Sequence, residues 1–256
     1  MEYIVFDLEF NQGFNKELNK TMSNEKCPFE IVQIGAIKLD SHFNIIDTFN
    51  SYIKPEIYKD IHPFVGKITG ITSRDVKGAP TFPQVYREFK KFASTKNPIL
   101  CVWGTGDLKE LYRNISYYGL PSKTLPKDYI NIQKHASDYF NNPSGKSIGL
   151  QNAISILGLE EGKSYHNALN DAYYTAQVFI RIYNPSITSD VYMYTTLKPN
   201  SVKKCKKEID YSNLFEEFKK ILGRDLTKED KKIIDLAYKM GKTNQFIINN
   251  SSNKKR

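Results

Sequence analysis

The spacing of apolar positions changes period several times along this chain. Residues 3–8, YIVFDL, are apolar on both faces until the acids appear, as expected of a strand buried in the middle of a sheet. FEIVQIGAIKLD (29–40) and IIDTFNSYIKP (45–55) read as two further strands, and SHFN between them reads as a turn, which predicts an antiparallel meander. In TFPQVYREFKKFAS (81–94) the apolar residues Phe82, Val85, Tyr86, Phe89 and Phe92 recur at helical steps. PILCVW (98–103) reads as a buried strand, followed by a helix from Asp107 to about Tyr118. DYINIQKHASDYF (128–140) holds a short strand and a helix, and GLQNAISILGL (149–159) is an amphipathic helix ended by Gly158. A last helix over 168–183 is marked by Leu169, Ala172, Ala176, Phe179, Ile180 and Tyr183, and Asn184-Pro185 stops it.

Three meander strands followed by strands alternating with helices predict an α/β fold, a mixed central sheet flanked by helices. This domain is predicted to occupy residues 1–185. Residues 186–256 differ: TTLKPNSVKKCKKE is a polar, basic linker, and Leu214, Phe215, Phe218, Ile221 and Leu222 form a helical stripe stopped by Gly223. Thr227 with Asp230 predicts a capping box that opens a second helix containing Ile233, Ile234, Ala237 and Met240. The end, NNSSNKKR, is predicted to be disordered.

Composition refines this outline. With 40% hydrophobic and 13% aromatic residues, 256 residues can build a substantial core. Cys27, Cys101 and Cys205 are odd in number and far apart, so neither a disulfide framework nor a thiolate zinc site is indicated, and a reducing cytoplasm is expected. The start, MEYIVFDLEF, carries acids and no basic leader, which predicts neither a signal peptide nor a membrane span. The formal charge of +9 is uneven: residues 186–256 hold 16 Lys and Arg against 9 Asp and Glu, leaving 21 against 19 before them. A basic tail points toward polyanions, and a solvated, solubilising surface is its ordinary reading.

The candidate chemistry lies where predicted strands end and helices begin. Asp7 and Glu9 share one face of a strand, about 6.6 Å apart. An amphipathic edge strand would show the same D-x-E alternation, but Ile4, Val5, Phe6 and Leu8 argue against a solvated edge, and two buried anions call for a cation. Asp107 follows PILCVW at a helix start, where an N-cap aspartate is common. In SYHNALND (164–171), His166 precedes Asp171 by five residues. Within one helix the two would lie about 140° apart around the axis, so His166 is placed on the loop entering the helix and Asp171 in its first turns. For an isolated pair, a surface histidine beside a solvated aspartate that favours the helix dipole is the ordinary reading. GTG at 104–106 is no dinucleotide fingerprint, because Lys109 stands where glycine is required, and GKS at 145–147 is no phosphate loop, because position 140 is Phe. His42, His62 and His135 lack ligand-spaced partners and read as surface or satisfied core residues.

Taken together, FDLEF (6–10), WGTGD (103–107) and HNALND (166–171) resemble the three motifs of the DEDDh superfamily of 3′–5′ exonucleases, in order and at the usual intervals. SYIKPEI, ITGITSRDVKGAPTFPQV and YINIQK are similar to the branch containing the histone-mRNA 3′ exonucleases and KapD-like sporulation inhibitors. The resemblance covers residues 1–185 and not the tail. It implies an RNase H-like fold with two divalent cations, Mg²⁺ or Mn²⁺, on Asp7, Glu9, Asp107 and Asp171, and His166 as general base on a mobile junction. Histidine, with a reference pKa of about 6.5, suits that role near neutral pH. The implied reaction releases nucleoside 5′-monophosphates from single-stranded RNA or DNA 3′ ends, with RNA favoured. Phe10, Asn11 and Trp103 are the candidate substrate contacts; many relatives carry Thr where this chain has Asn11, and Phe10 and Trp103 read equally as core residues. The competing readings are a non-catalytic nucleic-acid-binding module and a proofreading-type DNA exonuclease subunit. For the tail they are a phosphate-gripping surface and a protein-binding helical pair.

Overall fold

A computed structural model of the protein describes residues 1–142, 146–159, 162–194 and 210–242. The chain divides into two compact units, Met1–Thr196 and Leu197–Arg256. In chain order the first contains β1 (Glu2–Asn11), β2 (Gly13–Asn15), β3 (Lys20–Met22), β4 (Glu30–Leu39), β5 (Ile45–Tyr52), α1 (Pro63–Thr69), α2 (Ser73–Lys77) and α3 (Phe82–Ala93). It continues with β6 (Pro98–Val102), α4 (Gly106–Tyr117), β7 (Asp128–Asn131), α5 (Ile132–Tyr139), α6 (Leu150–Ile156), α7 (Ala168–Ile182) and β8 (Asp190–Val191).

Six strands form one sheet in the order β5-β4-β1-β6-β7-β8, and β2 pairs with β3 apart from it. β1 lies inside, antiparallel to β4 and parallel to β6. Because side chains alternate along a strand, β1 feeds two cores. Ile4, Phe6 and Leu8 pack with Val85 and Phe89 of α3 and with Leu108 and Leu111 of α4. Tyr3 and Val5 point the other way and pack with Ala172, Ala176 and Phe179 of α7. Burial on both faces is why YIVFDL carries no amphipathic alternation, and Asp7 and Glu9 continue the row of Tyr3 and Val5 on the α7 side.

The approach of α7 to the sheet depends on one missing side chain. Gly35 of β4 lies opposite Asp7 in the ladder, and a Cβ there would fall 2.1 Å from the Leu169 nitrogen and 2.2 Å from the Ala168 carbonyl carbon. Beside it, fully buried Gln33 accepts the Ala168 N–H through Oε1 (3.3 Å) and donates through Nε2 to Asn50 Oδ1 (3.0 Å). Gln33 and Gly35 thus seat the first turn of α7 over the carboxyl end of β1.

The sequence periodicity did not predict β2, β3, α1 or α2, whose order comes from contacts distant in sequence. Thr21 Oγ1 meets His62 Nε2 at 3.1 Å, the Phe14 and His62 rings pack edge to face, and the Tyr58 ring lies against Gly13. The sheet also continues past residue 185. β8 pairs with β7, the Tyr192 N–H bonds the Lys127 carbonyl (2.7 Å), and Tyr192 and Tyr194 pack on Tyr112, so the segment after α7 is tied to the first unit.

In the second unit, α8 (Tyr211–Leu222) ends at Gly223 with φ 66°, and α9 (Lys228–Lys242) follows. Thr227 Oγ1 accepts the Asp230 N–H (3.1 Å) while Asp230 Oδ2 accepts the Thr227 N–H (2.8 Å), a reciprocal capping box. The predicted basic linker and disordered end lie outside the described residues. Among the described residues no helix is long and apolar enough to cross a membrane.

Gly35→Ala is expected to lower stability by roughly 3 kcal/mol in denaturant unfolding, the upper part of the usual overpacking range. Gly78→Ala is the control, since nothing lies within 4 Å of an added Cβ there; it should shift stability by less than about 0.5 kcal/mol. Equal unfolding midpoints for the two variants would refute the close approach.

Candidate active site

β1 and β6 run parallel with Val5 level with Cys101, so Asp7 reaches the height of Trp103, where the chain leaves β6. Gly104, with φ 88°, turns the chain there, and Thr105 caps α4, which puts Asp107 in that helix's first turn. Asp171 lies in the first turn of α7, beyond the N-cap Asn167. One strand and two helix N-termini therefore deliver Asp7, Glu9, Asp107 and Asp171 to the carboxyl end of the parallel strands, the usual place for a cleft in an open α/β sheet.

The four acids sense one another. Burial, then the charges of Asp107, Asp171 and Glu9, pushes the Asp7 carboxyl well above the usual carboxylate range. Burial, reinforced by Asp171 and Asp107, pushes Glu9 up to about 8. Asp107 is pushed up to about 7, chiefly by burial and despite a backbone hydrogen bond, and Asp171 to about 6, again by burial, with the His166 backbone N–H opposing. Among the described residues no lysine or arginine forms an ion pair with any of the four.

His166 is exposed and lies on the loop before α7 at φ 60°. Its backbone N–H donates to Asp171 Oδ2 at 2.9 Å, while Asp171 Oδ1 is buried without a hydrogen-bond partner among the described residues. Glu9, His166 and Asp171 each offer one ligand atom within 4.8 Å of the others. Clustered carboxylates, one buried and three half-buried, with an orphaned oxygen on Asp171, form a hard oxygen-donor set that fits a divalent cation.

The three remaining candidates are placed differently. Asn11 is fully buried, and its side chain is spent on the chain between Tyr58 and His62: Nδ2 donates to the Asp60 carbonyl (3.0 Å) and Oδ1 accepts the His62 N–H (2.9 Å). Its amide is thus not available to a nucleotide. Phe10 packs on the α3–α4 layer, edge to face with Phe29, on the side of β1 away from the acids. Trp103 packs on the α7 layer, and its buried indole N–H has no acceptor among the described residues. His62 is satisfied: Nδ1 accepts the Phe64 N–H and caps α1.

Sequence reasoning missed Gly35 and Gln33. Their signal was present, since a polar and a side-chain-less residue share one face of an otherwise apolar strand. Phe64 was also missed; it is 63% exposed on the first turn of α1, two residues beyond the amide that Asn11 holds.

This fold and this cluster of acids define the class. The exonuclease family model, RNase_T, matches residues 4–179, and the chain belongs to that family. The mixed sheet has the RNase H-like fold of the DEDDh 3′–5′ exonucleases: it superposes on the nuclease domain of 3′hExo, a DEDDh family member bound to rAMP, with a TM-score of 0.63 at 23% identity, over 76% of this chain and 97% of that one. Among relatives, the human "3′-5′ exoribonuclease 1" is 28% identical over 162 residues, 60% of this chain and 46% of its own length. The PolC-type DNA polymerase III of Caldanaerobacter subterraneus is 27% identical over 182 residues, 71% of this chain and 11% of the polymerase. The "Probable 3′-5′ exonuclease KapD" of Bacillus subtilis is 23% identical over 177 residues, 69% of this chain and 82% of its own. The chain thus spans about half the length of the exoribonuclease and a small part of the polymerase.

The raised carboxyl groups set a pH dependence. Each is neutral in the folded protein at pH values where the unfolded chain has already ionised, so folding is favoured below about pH 4 and loses that advantage as pH rises toward about 8. Asp107→Asn is therefore expected to raise the melting temperature of the EDTA-treated protein at pH 8 and to change it little at pH 5. A lower melting temperature at pH 8 would contradict the desolvated cluster.

Proposed function

We propose that the chain is a metal-dependent 3′–5′ exonuclease that trims single-stranded RNA and releases nucleoside 5′-monophosphates. The observation that carries this is the convergence of four desolvated acids, without a basic partner among the described residues, beside an exposed histidine. In this reading Asp7, Glu9, Asp107 and Asp171 hold two divalent cations, Mg²⁺ or Mn²⁺, which when bound would offset the carboxylate charge and stabilise the charge building on the scissile phosphate.

The chain's own residues do the rest. The imidazole of His166 takes a proton from water, whose oxygen bonds to phosphorus while the 3′ oxygen of the preceding nucleotide leaves with the bonding pair. The N-terminal ends of α4 and α7 add favourable dipoles for an anion. Trp103, with its unpaired indole N–H, and the exposed ring of Phe64 are suited to the terminal nucleotides, because aromatic faces stack on bases of any sequence. Phe10 contributes from the opposite layer, and Asn11 contributes by holding the entry to α1. Cysteine usage supports a cytoplasmic setting.

The exoribonuclease relative supports RNA as the substrate, and the PolC-type relative supports a second reading, a proofreading-type DNA exonuclease. Digestion of matched 5′-labelled single-stranded RNA and DNA with Mg²⁺ or Mn²⁺ separates them: stepwise shortening of RNA, faster than of DNA, is expected. Asp7→Asn should abolish turnover with the fold intact; undiminished turnover would overturn the assignment of Asp7 to the metal site, whereas no turnover by the unaltered protein would leave only a nucleic-acid-binding module. His166→Ala should lower turnover by about two to four orders of magnitude while metal affinity is retained, the usual weight of a general base. A loss of affinity as large as in Asp171→Asn would mean that His166 holds metal.

For the tail we propose that lysines 203–207 and 228–232 contact phosphates upstream of the cleaved end, on the strength of its 16 basic against 9 acidic residues. Protein ending at Thr196 should still trim short oligonucleotides. Its binding to a long single strand should weaken, and the salt dependence should flatten by about 0.7 log units for each phosphate that is no longer neutralised. Equal slopes would assign the tail to a protein partner instead.

A further inference from the structure

The loop carrying His166 is secured by side chains of the helix that follows it. Tyr174 of α7 is 1% exposed, and its hydroxyl makes two bonds to one residue of the loop, donating to the Lys163 carbonyl at 2.7 Å and accepting the Lys163 N–H at 2.8 Å. The Tyr165 ring stacks on it with centroids 4.9 Å apart. Asn170 Nδ2 donates to the Ser164 carbonyl at 2.9 Å. Between these tethers and the Asp171 contact, His166 sits at φ 60°, a left-handed conformation that side-chain-bearing residues hold only when their surroundings over-determine it. Neither the Tyr174 hydroxyl nor the Asn170 amide is a metal ligand or reaches the reacting groups in the proposed reaction, and both grow from α7, which is packed on β1 and β4.

We propose that Tyr174, with Asn170, is a positioning residue for His166: the hydroxyl registers the loop against the core so that the imidazole faces the acid cluster in one orientation. The proposal rests on His166 acting as the general base. The physical reason is that a side chain on an exposed loop serves as a base only in the fraction of conformers where it meets the water. A buried phenol that fixes the backbone three residues earlier raises that fraction without touching substrate. It also replaces the expected mobile junction with a pinned one.

The test is a double-mutant cycle of Tyr174→Phe and His166→Ala, with turnover of a 5′-labelled single-stranded RNA, Mg²⁺ affinity and amide hydrogen exchange measured on each protein. Tyr174→Phe should lower kcat about tenfold, within the range of small misplacements of a catalytic group. KM and Mg²⁺ affinity should stay within about twofold, since the loop tethers hold neither substrate nor metal, and amides 163–166 should exchange faster. In the His166→Ala background the same change should cost nothing further. An equal loss in both backgrounds, or an undiminished kcat, would overturn the positioning role alone. Full turnover by His166→Ala would overturn the general-base reading, and the proposal with it. If Tyr174→Phe does not fold, Asn170→Ala, which frees Ser164 only, carries the same cycle.

Discussion

Four carboxyl groups share one place partly withdrawn from water, Glu9 buried and the three aspartates half-buried, and no basic side chain among the described residues pairs with them. Such a cluster opposes folding, because burying like charges costs solvation and adds repulsion. It persists because a rigid frame imposes it. β1 cannot move Asp7 or Glu9 away without withdrawing Ile4, Phe6 and Leu8 from one core and Tyr3 and Val5 from the other. Protons on the acids relieve the repulsion in the metal-free protein, and a bound cation would replace them. The site is therefore a local sacrifice of stability sustained by two apolar layers.

α7 is the element that organises the site. It supplies Asp171, and its first turn lies directly on Gly35 opposite Asp7. Asn170 and Tyr174, from its first two turns, anchor the loop that presents His166. One helix thus places an acid in the half-buried cluster and a histidine at its exposed edge, with the two linked through the His166 N–H and Asp171 Oδ2. Asn11 works on the other flank. Its amide reaches the backbone at Asp60 and His62 and fixes the entry to α1.

Much of this was legible in the sequence. Strand and helix periods located β1, β4, β6, α3, α4 and α7 because each buries apolar side chains, and hydrophobic spacing reports burial; β5 was located as well, although none of its residues is fully buried. The acids of β1 stood out because charge interrupts an apolar strand. The hairpin of β2 and β3, the short helices α1 and α2, and β8 were not legible. Each is brief, and its order comes from partners far along the chain, such as His62 for Thr21 and Tyr112 for Tyr194. A periodicity of three or four residues cannot encode a contact made across forty or more.

Which residues carry chemistry, and which stripes must be buried, followed from the order of residues alone, because side-chain type and spacing are properties of the chain. Folding in three dimensions was needed to bring Asp7, Glu9, Asp107 and Asp171 into one desolvated cluster, to turn the Asn11 amide to a loop rather than the cleft, and to pin the backbone before His166 with Tyr174. Each of these depends on distance through space as well as on position in the chain. Close approach, as at Gly35, and the withdrawal of water that follows arise only when separate elements pack together.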